Sequence, residues 1–248
     1  AYDTGARDDG IAFGADTERP MVNLANIVVL TAFAEAVAAG EIEGERRVSI
    51  AEVSQRALPG VNEQPHQRTI EHWAEEGAID ADSTVTLSDL AHAVARFNDD
   101  PSLDWLMGQL GYEALAAQTE AMGLPPEAIP LPQSGLYLQW AEVAPTLRTD
   151  EESASDKISP DAVYAYAERY AADSSYANSI RETFSTRGTN LTLRDQRRMA
   201  QETLPQATAH TMAEVLAGMA TASPPDPQAE VFAALDRSTG IDTLAVGV

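Results

Sequence analysis

The chain has 248 residues, of which 44% are hydrophobic and 22% charged, as is ordinary for a soluble globular protein. No run approaches the roughly 18 apolar residues that span a bilayer. The 39 acidic and 16 basic residues give a net charge of −23, which disfavours nucleic acids and anionic membranes as partners. The chain contains no cysteine, which excludes disulfides, thiolate catalysis and cysteine-ligated zinc.

The acidic residues are scattered along the chain. This distribution favours a solvated acidic surface over a cation-binding role, which stays the alternative. Because a cysteine-free chain folds equally well inside or outside the cell, composition leaves the compartment open.

The first predicted elements are a strand, a turn and a second strand within residues 1–20, where Ile11, Phe13 and Ala15 alternate. Residues 21–39 follow and are apolar on almost every side. A helix of that kind belongs in the centre of a protein, and Gly40 is expected to end it.

Short helices are predicted next. Ser49 and Ser88 are the expected N-caps of helices at residues 50–56 and 90–97. Pro101 stands in the favoured first turn of the helix after them.

Four prolines make residues 124–132 a loop, and the polar residues 146–159 are expected to form an exposed linker. Helical periodicity then returns in four segments, residues 161–172, 176–184, 208–220 and 229–235. Residues 243–248 are strand-like. We therefore predict an α+β fold in a single domain over residues 1–248, with a helical body around a central buried helix.

Four stretches resemble, in order, segments of the class A serine β-lactamases and penicillin-binding domains. The first corresponds to the family's segment with the S-x-x-K motif, and the second to its segment with the S-D-N motif. The third corresponds to the helix that follows the S-D-N motif, and the fourth to a later helix that starts with T-x-x-x-M-A. The matching stretches are residues 18–42, 84–104 (TVTLSDLAHAVARFNDDPSLD), 106–124 and 208–213 (TAHTMA). The resemblance implies a β-lactamase/transpeptidase-like fold with an antiparallel sheet beside the helical body.

The catalytic motifs are altered. The serine and lysine of S-x-x-K correspond to Asn23 and Asn26, and an amide nitrogen is neither a nucleophile nor a base. The S-D-N motif falls on Asn98, Asp99 and Asp100. The family's structural aspartate is kept as Asp99, whereas Asp100 puts negative charge where the family binds acidic substrates.

The third motif, K-T-G, is absent. By position its strand should begin where the sequence ends, so the resemblance implies a domain truncated before the K-T-G strand, without the last strands and the terminal helix. Residues 146–205 exceed what the family requires and are expected to be a helical insertion. The tyrosines at 164, 166, 170 and 176 could line a cleft there, but their helical spacing favours packing.

Other site chemistry is not indicated. No two of the four histidines, at 66, 72, 92 and 210, stand at i and i+4 beside a glutamate, which argues against a zinc peptidase. Residues 80–83 lack the glycine and glutamate of a calcium loop and predict a turn. We expect no metal and no cofactor.

The predicted function is a non-catalytic binding or structural module of the cell envelope, with Asn23, Asn26, Asn98 and Asp100 as ligand-binding residues. Its ligand would be a small molecule or peptidoglycan-like. The resemblance alone implies an extracytoplasmic location, secreted or as a lipoprotein. One alternative is an active serine hydrolase acting on β-lactams or peptidoglycan-like amides through another serine, for which Ser134 is the candidate. A third is a protein-interaction domain that works through its extra helices.

Overall fold

The computed structural model describes residues 14–147, 158–223 and 225–238. Helices dominate this part of the chain, with four short strands between them. The strands are β1 (Glu18–Pro20), β2 (Arg47–Ser49), β3 (Thr84–Thr86) and β4 (Gln206–Thr208). The helices are α1 (Asn26–Ala38), α2 (Ile50–Ser54), α3 (Glu63–Glu76), α4 (Leu87–Phe97), α5 (Asp100–Leu110), α6 (Tyr112–Ala121), α7 (Gln133–Leu147), α8 (Pro160–Ala172), α9 (Ser174–Arg187), α10 (Leu193–Glu202), α11 (Ala209–Thr221) and α12 (Pro227–Ser238).

Helix α1 lies at the centre of the larger hydrophobic core. Every residue from Asn26 to Phe33 is buried, and the helix packs against α4, α5, α6 and α12. A helix surrounded on all sides needs apolar side chains on all sides, which its sequence supplies. The prediction of a central buried helix is therefore confirmed. A 3₁₀ turn, Val22–Ala25, leads into it.

The four strands form two separate antiparallel pairs. Strand β1 pairs with β4, with Glu18 opposite Thr208, and β2 pairs with β3, with Arg47 opposite Thr86. This confirms a mostly helical α+β class in the broad sense. The strands predicted before residue 14 and after residue 242 lie outside the described residues. In the part of the chain that is described, no helix is long and apolar enough to cross a membrane.

Side-chain caps fix the ends of the helices around the motif positions. Ser49 caps α2 as predicted, accepting the N–H of Ala51. The predicted cap Ser88 is wrong, because Thr86 caps α4 two residues earlier in a reciprocal pair with Asp89. Such a capping box satisfies two N–H groups at once, which a lone serine does not.

Helices α7 to α10 pack around two smaller hydrophobic clusters. Gly135 on α7 approaches α8 so closely that an added Cβ would lie 1.9 Å from the carbonyl oxygen of Val163. Tyr170 is fully buried and its hydroxyl donates to the carbonyl of Ala57 at 2.8 Å, while the Tyr164 hydroxyl donates to a loop carbonyl. Tyr170 thus serves packing, the interpretation that its spacing favoured, whereas Tyr164 lines a cavity between α5 and α8. Residues 158–205 are largely helical; residues 148–157 of the expected linker are outside the described residues.

Candidate functional site

The structure brings two of the motif positions into contact. Asn26, the first residue of α1, is buried at 8% exposure, and its Nδ2 donates to Oδ1 of the exposed Asn98 at 3.5 Å. The two residues are 72 positions apart in sequence. Asn98 ends α4 in the left-handed conformation (φ 53°), which asparagine tolerates better than most residues. This cap turns the chain so that α5, with Asp99 as its N-cap, can begin at Asp100.

Asn23 is exposed in the 3₁₀ turn three residues before Asn26. The residue before it, Val22, has a φ of 49° and is 56% exposed. Positive φ is a true outlier for a β-branched residue and costs about 1–3 kcal/mol. Such strain persists where the surrounding structure over-determines it, and it is concentrated at functional sites. The strained residue directly precedes Asn23.

Asp99 is an acceptor for four donors. Its carboxylate is buried at 1% exposure, caps α5 by accepting the N–H and hydroxyl of Ser102, and accepts the Thr69 hydroxyl at 3.1 Å. His66 Nδ1 lies 3.0 Å from both of its oxygens. Burial acts to raise the pKa of Asp99, but the hydrogen bonds from His66 and Ser102 outweigh it and hold the pKa below its usual value. Asp99 is therefore ionised at neutral pH.

Asp100 has the opposite electrostatic character. It is half-buried, and burial together with the nearby Asp104 raises its pKa to about 7, against a hydrogen bond donated by Asn62 at 3.3 Å. Asp104 lies one helical turn further along α5, and burial raises its pKa to about 6. Two neighbouring buried carboxylates resist joint ionisation. The negative charge that the sequence predicts at position 100 is thus only partly developed near neutral pH.

Ser134, the serine proposed for an active enzyme, does not fit a nucleophile. It is 1% exposed, and its N–H donates to Asp104 at 2.8 Å. Asp104 and Arg56 border a cavity of about 350 Å³ between α5 and α8. Among the described residues no hydrogen bond joins Ser134 to a histidine of the kind that activates a catalytic serine.

Two residues that sequence reasoning missed complete a polar chain with Asp99. Ser54, half-buried at the end of α2, has its Oγ 2.9 Å from Nε2 of His66, which is buried at 2% exposure on α3. The three residues come from three different helices and share no local motif. Of the three, only His66, near the start of α3, is a residue type that sequence reasoning singles out. The sequence does not show which hydroxyl and which carboxylate form hydrogen bonds with its ring.

The described residues contain no group of three or more potential metal ligands. Residues 80–83 form the predicted turn, in which Asp80 accepts the N–H groups of Asp82 and Thr84 and pairs with Arg47 at 2.8 Å. His210 and His92 are exposed, and His210 lies 3.5 Å from Glu214.

No protein-family model matches the chain, and a search of curated proteins finds no match. The chemistry that can be assigned therefore comes from the geometry of these residues. The amides of the exposed Asn23 and Asn98, and of the buried Asn26 beside them, can donate and accept hydrogen bonds, but they cannot acylate.

Proposed function

We propose that the chain is a β-lactamase-like module that is non-catalytic at the family's motif positions and binds a ligand at the amide surface formed by Asn23, Asn26 and Asn98. The observation that carries the proposal is the Asn26–Asn98 contact. In the family that the sequence resembles, the corresponding lysine and serine belong to one site. The same two positions meet here, although both side chains have become amides.

Two further features support a binding surface. Val22 and Leu24, on either side of Asn23, are large apolar side chains left exposed, at 56% and 44%. Amide groups beside exposed apolar groups suit a ligand that carries both peptide and hydrocarbon surface. The second feature is the positive φ of Val22, since strained backbone of this kind is concentrated at functional sites.

The net charge of −23 and the partial charge on Asp100 select against strongly anionic ligands. A peptidoglycan-like glycopeptide, with many amides and few net charges, is the class that we propose, together with an extracytoplasmic location in the cell envelope. The location rests on the sequence resemblance alone, and the ligand class rests on the resemblance and on the amide chemistry of the surface.

The test is a pair of measurements on the full chain. Incubation with a fluorescent penicillin, followed by peptide mapping, is expected to give no covalent adduct at Asn23, Asn26 or Asn98, because amide nitrogens are not nucleophiles. Titration with a soluble disaccharide-peptide fragment of peptidoglycan is expected to shift the side-chain amide NMR signals of Asn23, Asn26 and Asn98.

The matched variants are Asn23→Ala and Asn178→Ala, the latter removing an exposed asparagine from the distant helix α9. Binding should weaken in the first variant and remain in the second. A stable penicillin adduct at one of these three positions, or fragment binding that is unchanged in Asn23→Ala, would overturn the proposal. The double change Asn23→Ser with Asn26→Lys is expected not to restore acylation, since these two residues supply only one of the family's three motifs.

A further inference from the structure

The residues Ser54, His66 and Asp99 form a continuous hydrogen-bonded chain across α2, α3 and the start of α5. The Ser54 Oγ lies 2.9 Å from His66 Nε2, and His66 Nδ1 lies 3.0 Å from Asp99. Each ring nitrogen thus faces a different partner. This is the order of contacts by which a histidine, oriented by a carboxylate, activates a serine hydroxyl.

The direction of the hydrogen bonds follows from the surroundings of Asp99. Its carboxylate receives protons from Thr69 and from the N–H and hydroxyl of Ser102, so it is held as an acceptor. An acceptor at this position requires a proton on Nδ1 of His66. In the neutral ring Nε2 then carries a lone pair, which accepts the hydroxyl proton of Ser54.

Packing holds the histidine in this orientation. His66 is buried, and its ring meets the ring of Trp73 edge to face at 6.3 Å between centroids. Ser54, by contrast, is half-buried and is the member of the chain nearest to solvent. A buried base and a buried acid behind a partly exposed hydroxyl supply the nucleophile–base and base–orienter contacts of a catalytic serine.

We infer that Ser54 is a nucleophilic serine that accepts acyl groups from small esters, with His66 as its base and Asp99 as the residue that positions His66. The site is separate from the amide surface, because Asn98 faces α1 whereas Asp99 faces α3. Its activity neither requires nor excludes ligand binding at Asn23.

The reaction needs no further reagent than water. Ser54 Oγ attacks the ester carbonyl carbon while its proton passes to His66 Nε2, and the carbonyl π electrons move to oxygen. The C–O bond to the alcohol then breaks, and the alcohol leaves with the proton from Nε2. Water attacks the acyl-serine in the same way and gives a proton to Nε2, which returns it to Ser54 as the carboxylic acid departs.

The experiment uses the full chain and a small fluorophosphonate, which forms a stable bond only with an activated serine. Intact mass is expected to show one adduct, and peptide mapping is expected to place it on Ser54. Hydrolysis of p-nitrophenyl acetate should be lost in the labelled protein. A purely structural hydrogen-bond chain would give no adduct at this serine, so labelling separates the two roles.

Three variants complete the test. His66→Gln and Asp99→Asn are expected to slow labelling by roughly 100-fold or more, the range for loss of general-base catalysis. Ser134→Ala removes a buried serine that has no histidine partner and should label like the parent. Circular dichroism checks that each variant is folded; if the first two are not, the adduct on the parent chain still decides. No adduct on Ser54, or equal labelling in a folded Asp99→Asn variant, would overturn the inference.

The outcome is independent of the amide surface. A phosphonate adduct on Ser54 without binding of the peptidoglycan fragment would support this inference and contradict the proposed function. Fragment binding without an adduct would support the proposed function and contradict this inference.

Discussion

His66 Nδ1 lies 3.0 Å from both carboxylate oxygens of Asp99, so one residue caps α5 and also fixes the orientation of a buried imidazole on α3. The same carboxylate receives Thr69 and Ser102. Helices α3 and α5 are thus joined by a single buried charge. Removal of the Asp99 carboxylate should therefore lower both the stability of the protein and the reactivity of Ser54.

Asp99→Ala should lower the free energy of unfolding by about 3–5 kcal/mol, because it leaves several buried donors without an acceptor. Urea denaturation measures this. The control is Asp89→Ala, which removes a half-buried capping carboxylate and should cost about 1 kcal/mol. Equal losses in the two variants would show that Asp99 acts only as a helix cap.

Asp100→Asn should make the protein more stable near and above neutral pH. The folded-state pKa of about 7 lies above the usual value of 3.8, so the native state holds the proton more tightly than the unfolded chain. The stability linked to this proton is fully present below pH 4 and is lost as pH rises through 7. The variant removes that loss, on the order of 1–2 kcal/mol at pH 8 after allowance for solvent screening.

The check is urea denaturation of both proteins at pH 5 and pH 8. The parent should lose stability between these values more steeply than Asp100→Asn. Parallel pH profiles would mean that position 100 titrates as an ordinary surface aspartate.

A double-mutant cycle should detect the Asn26–Asn98 contact. Asn26→Ala and Asn98→Gly each remove one amide, and glycine keeps the positive φ that position 98 requires. Because the hydrogen bond is long and one partner is exposed, we expect a coupling energy of about 0.5 kcal/mol. The measurement is thermal unfolding of the four proteins, and strict additivity would contradict the contact.

Val22→Gly should be neutral or stabilising, although replacement by glycine normally destabilises. Glycine adopts a φ of 49° without strain, and relief of about 1–3 kcal/mol offsets its greater entropy in the unfolded chain. Leu24→Gly in the same 3₁₀ turn has no positive φ to relieve and should destabilise. The melting temperature should therefore fall in Leu24→Gly and should stay the same or rise in Val22→Gly.

Gly135→Ala should destabilise the packing of α7 on α8. The new Cβ would lie 1.9 Å from the carbonyl oxygen of Val163, and a backbone atom cannot move aside as a flexible side chain would. We expect a loss of roughly 3 kcal/mol, at the upper end for overpacking. Gly218→Ala, where no atom lies within 4 Å, should instead gain about 0.5–1 kcal/mol. Chemical denaturation of both variants tests the contrast.

Patterns within one segment predicted much of the fold. The apolar residues of α1 placed it in the core because a helix without a polar side has no stable position at a surface. Helical periodicity, which is also a local pattern, predicted four more helices to within a few residues, namely α8, α9, α11 and α12. The cap at Ser88 was wrong because two nearby hydroxyls competed, and only the capping box with Asp89 favours Thr86.

The candidate sites depended on distance in space. The sequence by itself determined that Asn23, Asn26 and Asn98 carry amides, and so that these positions cannot acylate; side-chain chemistry is a property of the residue alone. Only the tertiary structure decided that Asn26 meets Asn98 and that Ser54, His66 and Asp99 line up across three helices. It also decided that Asp99 is ionised while Asp100 is half protonated near pH 7, since burial and neighbouring donors set those pKa values.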